Sequence, residues 1–137
     1  MITAVDSNVL IDIFGEDPTF FNTSSRALTA ALAKGALVCS DVVYAEVAAQ
    51  FGDRVKLDRS LEILSVVYSP LSADAAFMAG AAWKAYRRTR GKRDRMVADF
   101  LIGAHALTQC DHLLTRDRGF YRKYFAKLSI MDPTNLS

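Results

Sequence analysis

The sequence predicts an α/β fold, a three-layer sandwich in which a mainly parallel sheet of about five strands lies between helices. Short apolar runs of strand length alternate with helix-length segments along the chain. One helical segment, 98–106, is apolar nearly all round and belongs inside the molecule. Finally, 137 residues of which 51% are apolar are enough for one domain with a real core and too few for two ordinary ones. Residues 1–137 therefore read as a single domain.

Ile2 to Val5 reads as a short buried strand that stops at Asp6-Ser7-Asn8, residues suited to a turn or a helix start. Val9 to Phe14 reads as helix. Gly15 to Pro18 breaks the pattern, and Thr19 to Ala33 resumes it with Phe20, Ala27, Leu28, Ala31 and Leu32 on one side, closed by Lys34-Gly35. A second strand spans Ala36 to Cys39. Ser40-Asp41 caps a helix from about Val42 to Phe51, and Gly52-Asp53 turns the chain. Leu57 to Leu64 is helical, Ser65 to Tyr68 is a third strand ending before Pro70, and Ser72 to Arg88 is a long Ala-rich helix. The next helix runs to about Gln109. Its Gly103 costs about 1 kcal/mol relative to Ala, which points to close packing against the sheet. His112 to Leu114 is a fourth strand, Thr115 to Gly119 a turn, and a short last strand falls around Leu128 to Met131.

Composition excludes several function classes. Seventeen basic against fifteen acidic residues leave a formal charge of +2, too weak to diagnose nucleic-acid binding from the total. The basic charge is local: Lys84, Arg87, Arg88, Arg90, Lys92, Arg93 and Arg95 crowd one stretch, which reads as a solvated helix end and loop or as a phosphate-binding patch. Cys39 and Cys110 are the only cysteines and have no ligand spacing, so a zinc site or disulfide framework is not expected. The N-terminus lacks a positive n-region and no uncharged apolar run is long enough to span a membrane, so a cytoplasmic protein is expected.

The architecture decides where the acids go. In such a fold the carboxyl ends of strands and the N-termini of the following helices share one edge of the sheet, where ligands bind. Asp6 ends the first strand, Glu46 lies early in the helix after the second, Asp99 lies early in the helix before the fourth, and Asp117 follows the fourth by a few residues. All four belong to that edge. Taken singly, Asp6 is excused as a helix cap, Asp99 as a complement to a helix dipole and Asp117 as a turn residue. Glu46 is harder to excuse: it lies beyond the capping-box position, and Val42, Val43, Ala49 and Gln50 offer it no cation. Asp99 has only Arg95 as a partner along its helix.

Close carboxylates repel by about 4 kcal/mol per pair at 4 Å with an effective dielectric near 20. A divalent cation removes that repulsion and creates a reactive centre, and oxygen-only ligands favour Mg²⁺, with Mn²⁺ a plausible substitute, over Zn²⁺. Such an ion suits phosphodiester hydrolysis. Asp6 and Asp99 are the principal candidate ligands, with Glu46 and Asp117 completing the site and one of the two accepting a proton from water. Ser7, Asn8 and Thr115 are candidates for orienting those carboxylates. His105 reads as a helix-core residue and His112 as a strand residue.

Four stretches also carry a resemblance: Val5-Asp6-Ser7-Asn8-Val9-Leu10, the helix with Glu46, Ala98-Asp99-Phe100-Leu101-Ile102-Gly103-Ala104-His105-Ala106, and Leu114-Thr115-Arg116-Asp117-Arg118-Gly119-Phe120-Tyr121. In order and spacing the chain resembles PIN-domain ribonucleases, in particular toxins of the VapC type from type II toxin–antitoxin systems, and all four acidic positions of that pattern are occupied. The resemblance implies a PIN-like fold, a magnesium-dependent endoribonuclease acting on RNA, a VapB-like antitoxin that covers the acidic site, and a homodimer. Phe14, Phe20 and Phe21 are candidates for an apolar groove that receives an antitoxin segment, or for plain core. Arg116 and Arg118, which flank Asp117, and Arg93 and Arg95 are candidate RNA contacts.

Two other readings stand beside it. A receiver-like phosphoacceptor domain shares the size and architecture, but it needs adjacent acids after the first strand and a phosphoacceptor after the third; here Ser7 and Asn8 follow Asp6, and the third strand ends in Tyr68-Ser69-Pro70. A noncatalytic PIN-like binding module for RNA or protein is disfavoured by the full acid set.

Overall fold

The computed structural model describes residues 1–90 and 97–135. Five strands form one sheet: β1 (Ile2–Val5), β2 (Ala36–Ser40), β3 (Val66–Ser69), β4 (His112–Leu114) and β5 (Ile130–Met131), in the spatial order β3-β2-β1-β4-β5. All four pairings are parallel, with Thr3 aligned to Leu37 on one side and His112 on the other. The helices that flank it are α1 (Ser7–Phe14), α2 (Phe21–Lys34), α3 (Asp41–Ala48), α4 (Arg54–Ile63), α5 (Ala73–Arg90), α6 (Val97–Gln109) and α7 (Arg118–Tyr124). The expected α/β sandwich with a parallel sheet is borne out. Among the described residues no helix is long and apolar enough to cross a membrane.

Parallel strands require both faces covered, and the core reflects that. Ala4, Val5, Leu37, Cys39, Leu113 and Leu114 from the strands pack with Val9, Leu10, Val43, Val47, Phe100 and Ile102 from the helices, all buried. At the end of α2, Gly35 has φ +154°, and a Cβ there would stand 2.0 Å from the Met1 carbonyl oxygen. Only glycine fits where α2 hands over to β2, whose Ala36 N–H donates to that same oxygen.

Three expectations need correction. The segment after β4 is more than a turn: Arg118–Tyr124 forms α7. Phe120, Tyr121 and Tyr124 stand at i, i+1 and i+4, a helical spacing, but over only seven residues and with Gly119 in the first turn. It is held by aromatic packing of Phe120, Tyr121 and Tyr124 around Phe100, with the Phe120 and Phe100 rings 5.1 Å apart. Gly103 does make a close contact, but with Phe125 rather than the sheet, since an added Cβ would meet that ring at 2.5 Å. Helix α3 ends at Ala48 rather than near Phe51, and Glu46 lies in its second turn. Of the basic stretch, Lys92, Arg93 and Arg95 lie outside the described residues.

The strand order places the binding edge. From β1 the chain moves outward through β2 to β3, then returns to lay β4 on the opposite side of β1. The reversal leaves a crevice at the carboxyl ends of β1 and β4, where ligands bind in open α/β sheets. A receiver-like domain has the order 2-1-3-4-5, so this topology also separates the chain from that alternative.

Candidate active site

Asp6 stands at that crevice. It is the residue after β1 and the N-cap of α1, and its own N–H donates to the Leu114 carbonyl of β4 at 2.9 Å. It is 4% exposed. Its carboxylate is wrapped in neutral donors: Oδ1 accepts from the Ser7 N–H at 2.7 Å, while Oδ2 accepts from Thr115 Oγ1 at 2.8 Å, Tyr121 Oη at 3.3 Å and Asn8 Nδ2 at 3.4 Å. Among the described residues no cation pairs with it. Burial, reinforced by the charge of Glu46 and resisted by these hydrogen bonds, raises the Asp6 carboxyl from 3.8 to about 6.

The expected partners converge on this carboxylate by different routes. Ser7 Oγ donates to Glu46 Oε1 at 2.9 Å and lies 3.4 Å from Asp6 Oδ1, so one hydroxyl links α1 to the exposed Glu46 on α3. Thr115 is buried, and besides donating to Asp6 it accepts from Asn8 Nδ2 at 3.2 Å and from the Asp117 N–H at 3.0 Å. Asp99 lies in the first turn of α6, and Asp117 is the N-cap residue of α7 but makes no side-chain cap bond. Both charges reach the Tyr121 hydroxyl, whose pKa is pushed up by burial first, then by Asp6, Asp99 and Asp117. The four acids thus share one edge of the sheet. Ser7, Asn8 and Thr115 bond within it as their positions suggested.

Tyr121 is the residue that sequence reasoning missed. It is fully buried and donates to Asp6, yet it lies in a helix of only seven residues, where a buried aromatic reads as plain core. The signal was its place four residues after Asp117, which puts it on the same side of α7.

The arginines flanking Asp117 bond to protein acids. Arg116 donates from Nε and Nη2 to Asp12 at 2.7 and 3.0 Å, and Arg118 Nε lies 3.3 Å from Asp132 Oδ2. Arg93 and Arg95 lie outside the described residues. His105 is buried with its Nε2 3.0 Å from Ser69 Oγ, and His112 pairs with Ser129, so both are structural. Both cysteines are free, Cys39 buried and Cys110 half-buried.

A donor set made only of carboxylate oxygens suits a hard dication, and the unbalanced charge on buried Asp6 asks for one. Among the described residues, however, no three His, Cys, Asp or Glu side chains are grouped closely enough to hold a metal ion by themselves.

A model of the PIN domain matches residues 3–126. The chain belongs to the PIN domain family. The resemblance read from its four acidic stretches is thereby borne out. No curated protein sequence is detectably similar to it. Solved structures share the fold across nearly the whole chain. VapBC2 from Rickettsia felis, bound to a promoter DNA fragment, superimposes with a TM-score of 0.73 at 19% identity, covering 96% of this chain and 98% of that one. VapBC-1 from nontypeable Haemophilus influenzae gives 0.72 at 21% identity, covering 98% and 100%. Mycobacterium tuberculosis VapC20, a sarcin–ricin loop cleaving toxin, gives 0.55 at 17% identity, covering 81% and 86%. At these identities the likeness is one of fold.

Proposed function

We propose that this PIN domain is a magnesium-dependent endoribonuclease and the toxin of a type II toxin–antitoxin pair. The observation that carries the reading is the buried Asp6 carboxylate at the β1/β4 crevice, balanced by no described cation and sharing its edge with Glu46, Asp99 and Asp117. PIN domain nucleases generally use divalent metal ions. Asp6 and Asp99 would hold the ion, with Glu46 and Asp117 completing the site directly or through water. A bound dication supplies orientation of the phosphate, a lowered pKa for attacking water and stabilisation of the leaving oxygen. The chain's own residues do the rest. Thr115, Tyr121, Asn8 and Ser7 fix the Asp6 carboxylate through their hydrogen bonds, and Glu46, the exposed acid, is placed to accept a proton from water.

The toxin role is supported by the structural neighbours, which include VapBC complexes and one toxin that cleaves RNA of the sarcin–ricin loop. A VapB-like antitoxin is the expected partner. Phe14 suits it: its ring packs edge-on against Phe51, and with Ile11, Val47 and Gln50 both line a surface pocket between α1 and α3. Phe20 has a different task beneath Arg116, and Phe21 is half-buried at the start of α2. A homodimer is supported by apolar surface left exposed at Ile63, Val67 and Tyr68, around the edge strand β3.

The deciding experiment compares cleavage of total RNA by the wild type and Asp99→Asn, each with Mg²⁺ and with EDTA, and maps the cut ends. Cleavage by the wild type with metal alone is expected, as is growth arrest on induction without the antitoxin. Intact RNA and normal growth on strong induction would overturn the proposal, and RNA binding without turnover would make the chain a binding module.

A further inference from the structure

We infer that Asp12 and Arg116 form a positioning pair: together they hold the loop after β4, and with it Thr115 and Asp117, in the one orientation that presents the acids of the site. The inference rests on the ribonuclease reading above.

Asp12 is 2% exposed on α1, and Ser24 Oγ of α2 donates to its Oδ2 at 2.7 Å. Arg116 closes on it with two parallel bonds, Nε to Oδ2 at 2.7 Å and Nη2 to Oδ1 at 3.0 Å, while the guanidinium lies over the Phe20 ring, 3.9 Å from its centroid. Such a fork fixes direction as well as distance, which an ammonium does not. Pairing and stacking commit Nε, Nη2 and one face of the guanidinium to the protein itself.

The value of this pair lies in where it is tied. The same three-residue loop is bonded to the start of α1 by Thr115 Oγ1 to Asp6 and by the Arg116 N–H to Asn8 Oδ1 at 3.2 Å. Ties at one end of a helix alone would let the loop pivot about them. Asp12 lies six residues beyond Asp6, about 9 Å along the helix axis, and a rigid fork at that distance removes the pivot. Asp117 is joined to Arg116 by one peptide bond, and its N–H donates to Thr115 Oγ1. Turning the loop would therefore swing Asp117 away from the crevice and strip Thr115 from Asp6.

The test uses the full chain with an RNA that the wild type cleaves, and a Mn²⁺ titration by electron paramagnetic resonance. Variants are Arg116→Ala, Arg116→Lys, Asp12→Asn and the Asp12→Asn/Arg116→Ala double. Positioning predicts that each single variant lowers kcat by roughly ten- to a hundredfold with KM within about twofold, and that the double loses no more than the worse single. It also predicts weaker Mn²⁺ binding, and partial recovery of kcat for Arg116→Ala, but not Asp12→Asn, in about 10 mM guanidinium. If Arg116→Ala melts below the assay temperature, Arg116→Lys carries the comparison. Folded variants with unchanged kcat and Mn²⁺ affinity would overturn the inference, and so would a loss residing in KM, which marks a phosphate contact. A wild type that neither cleaves RNA nor binds Mn²⁺ would instead overturn the functional reading itself.

Discussion

Asp6 and Asp12 sit six residues apart at the two ends of one short helix, both nearly inaccessible at 4% and 2% exposure, and both are reached by the loop after β4. They differ in what that loop delivers. Asp12 receives a guanidinium in a bidentate pair, whereas Asp6 receives a hydroxyl from Thr115, joined by other neutral donors. A buried charge with its own counter-ion is complete as folded. One met only by dipoles is solvated but not neutralised, so its carboxyl moves up to about 6. The contrast separates an acid that holds the fold from the one we propose as a metal ligand, although residue type and burial are the same.

The largest effect is expected where the contrast is erased at Asp6. Asp6→Asn keeps the size of the side chain and removes the charge, so RNA cleavage should fall at least roughly a hundredfold. The same change should leave the metal-free protein at pH 7 as stable as the wild type or more so, because it deletes a strained ionisation. Cleavage assays and urea melts on one preparation check both. A variant that is inactive because it is destabilised would collapse the distinction between the two aspartates.

The opposite outcome is expected at the other aspartate. Arg116→Ala strands the Asp12 carboxylate in the interior without its counter-ion, and the loss should be about 3–5 kcal/mol of unfolding free energy. Denaturant titration reads it directly. Replacing both partners with a well-packed apolar pair should recover much of that loss, since the cost lies in the orphaned charge rather than in the missing attraction.

Acidity sharpens the comparison further. The folded chain holds a proton on Asp6 up to about pH 6, while the unfolded chain releases it near 3.8. The folded state therefore binds the extra proton between those values. The contribution of this group to stability is highest below the lower value, declines as pH rises through the window and levels off above it, by roughly 3 kcal/mol in all. Subtracting the profile of Asp6→Asn from that of the wild type in EDTA isolates the term. Saturating Mn²⁺ should flatten it, because a bound dication favours the ionised carboxylate. A difference profile that rises with pH would overturn the reading of Asp6 as a buried carboxylate without a counter-ion.

This comparison also marks what the chain's letters reveal. The strands, the order of elements and the common edge of Asp6, Glu46, Asp99 and Asp117 follow from periodicity and from the geometry of parallel sheets, both local or general. The Asp12–Arg116 pair follows from neither. Its members are 104 residues apart, and nothing in either neighbourhood selects the other. Arg116 therefore reads as a phosphate contact simply because it is basic and next to an acid. Tyr121 was hidden for a related reason: α7 is only seven residues long and its aromatic residues read as plain core, so nothing local says that one of their hydroxyls reaches Asp6, 115 residues away. Glu46 lacked a cation in sequence, and the structure supplies a hydroxyl instead.

The finest test compares two serines that serve the two aspartates. Ser24 is fully buried and its Oγ donates to Asp12 Oδ2 at 2.7 Å, beside the Arg116 ion pair. Ser24→Ala should cost about 1.5–3 kcal/mol, the range for a hydrogen bond to a charged group. Ser7 donates to Glu46, which is exposed, and water can take over that bond. Ser7→Ala should therefore change stability by less than about 1 kcal/mol. Its effect belongs in the ligand: the hydroxyl holds α3's carboxylate close to Asp6, so Mn²⁺ should bind roughly tenfold more weakly. Equal losses of stability from the two substitutions, with Mn²⁺ affinity untouched, would mean that the crevice is built as the Asp12 pair is, for the fold alone.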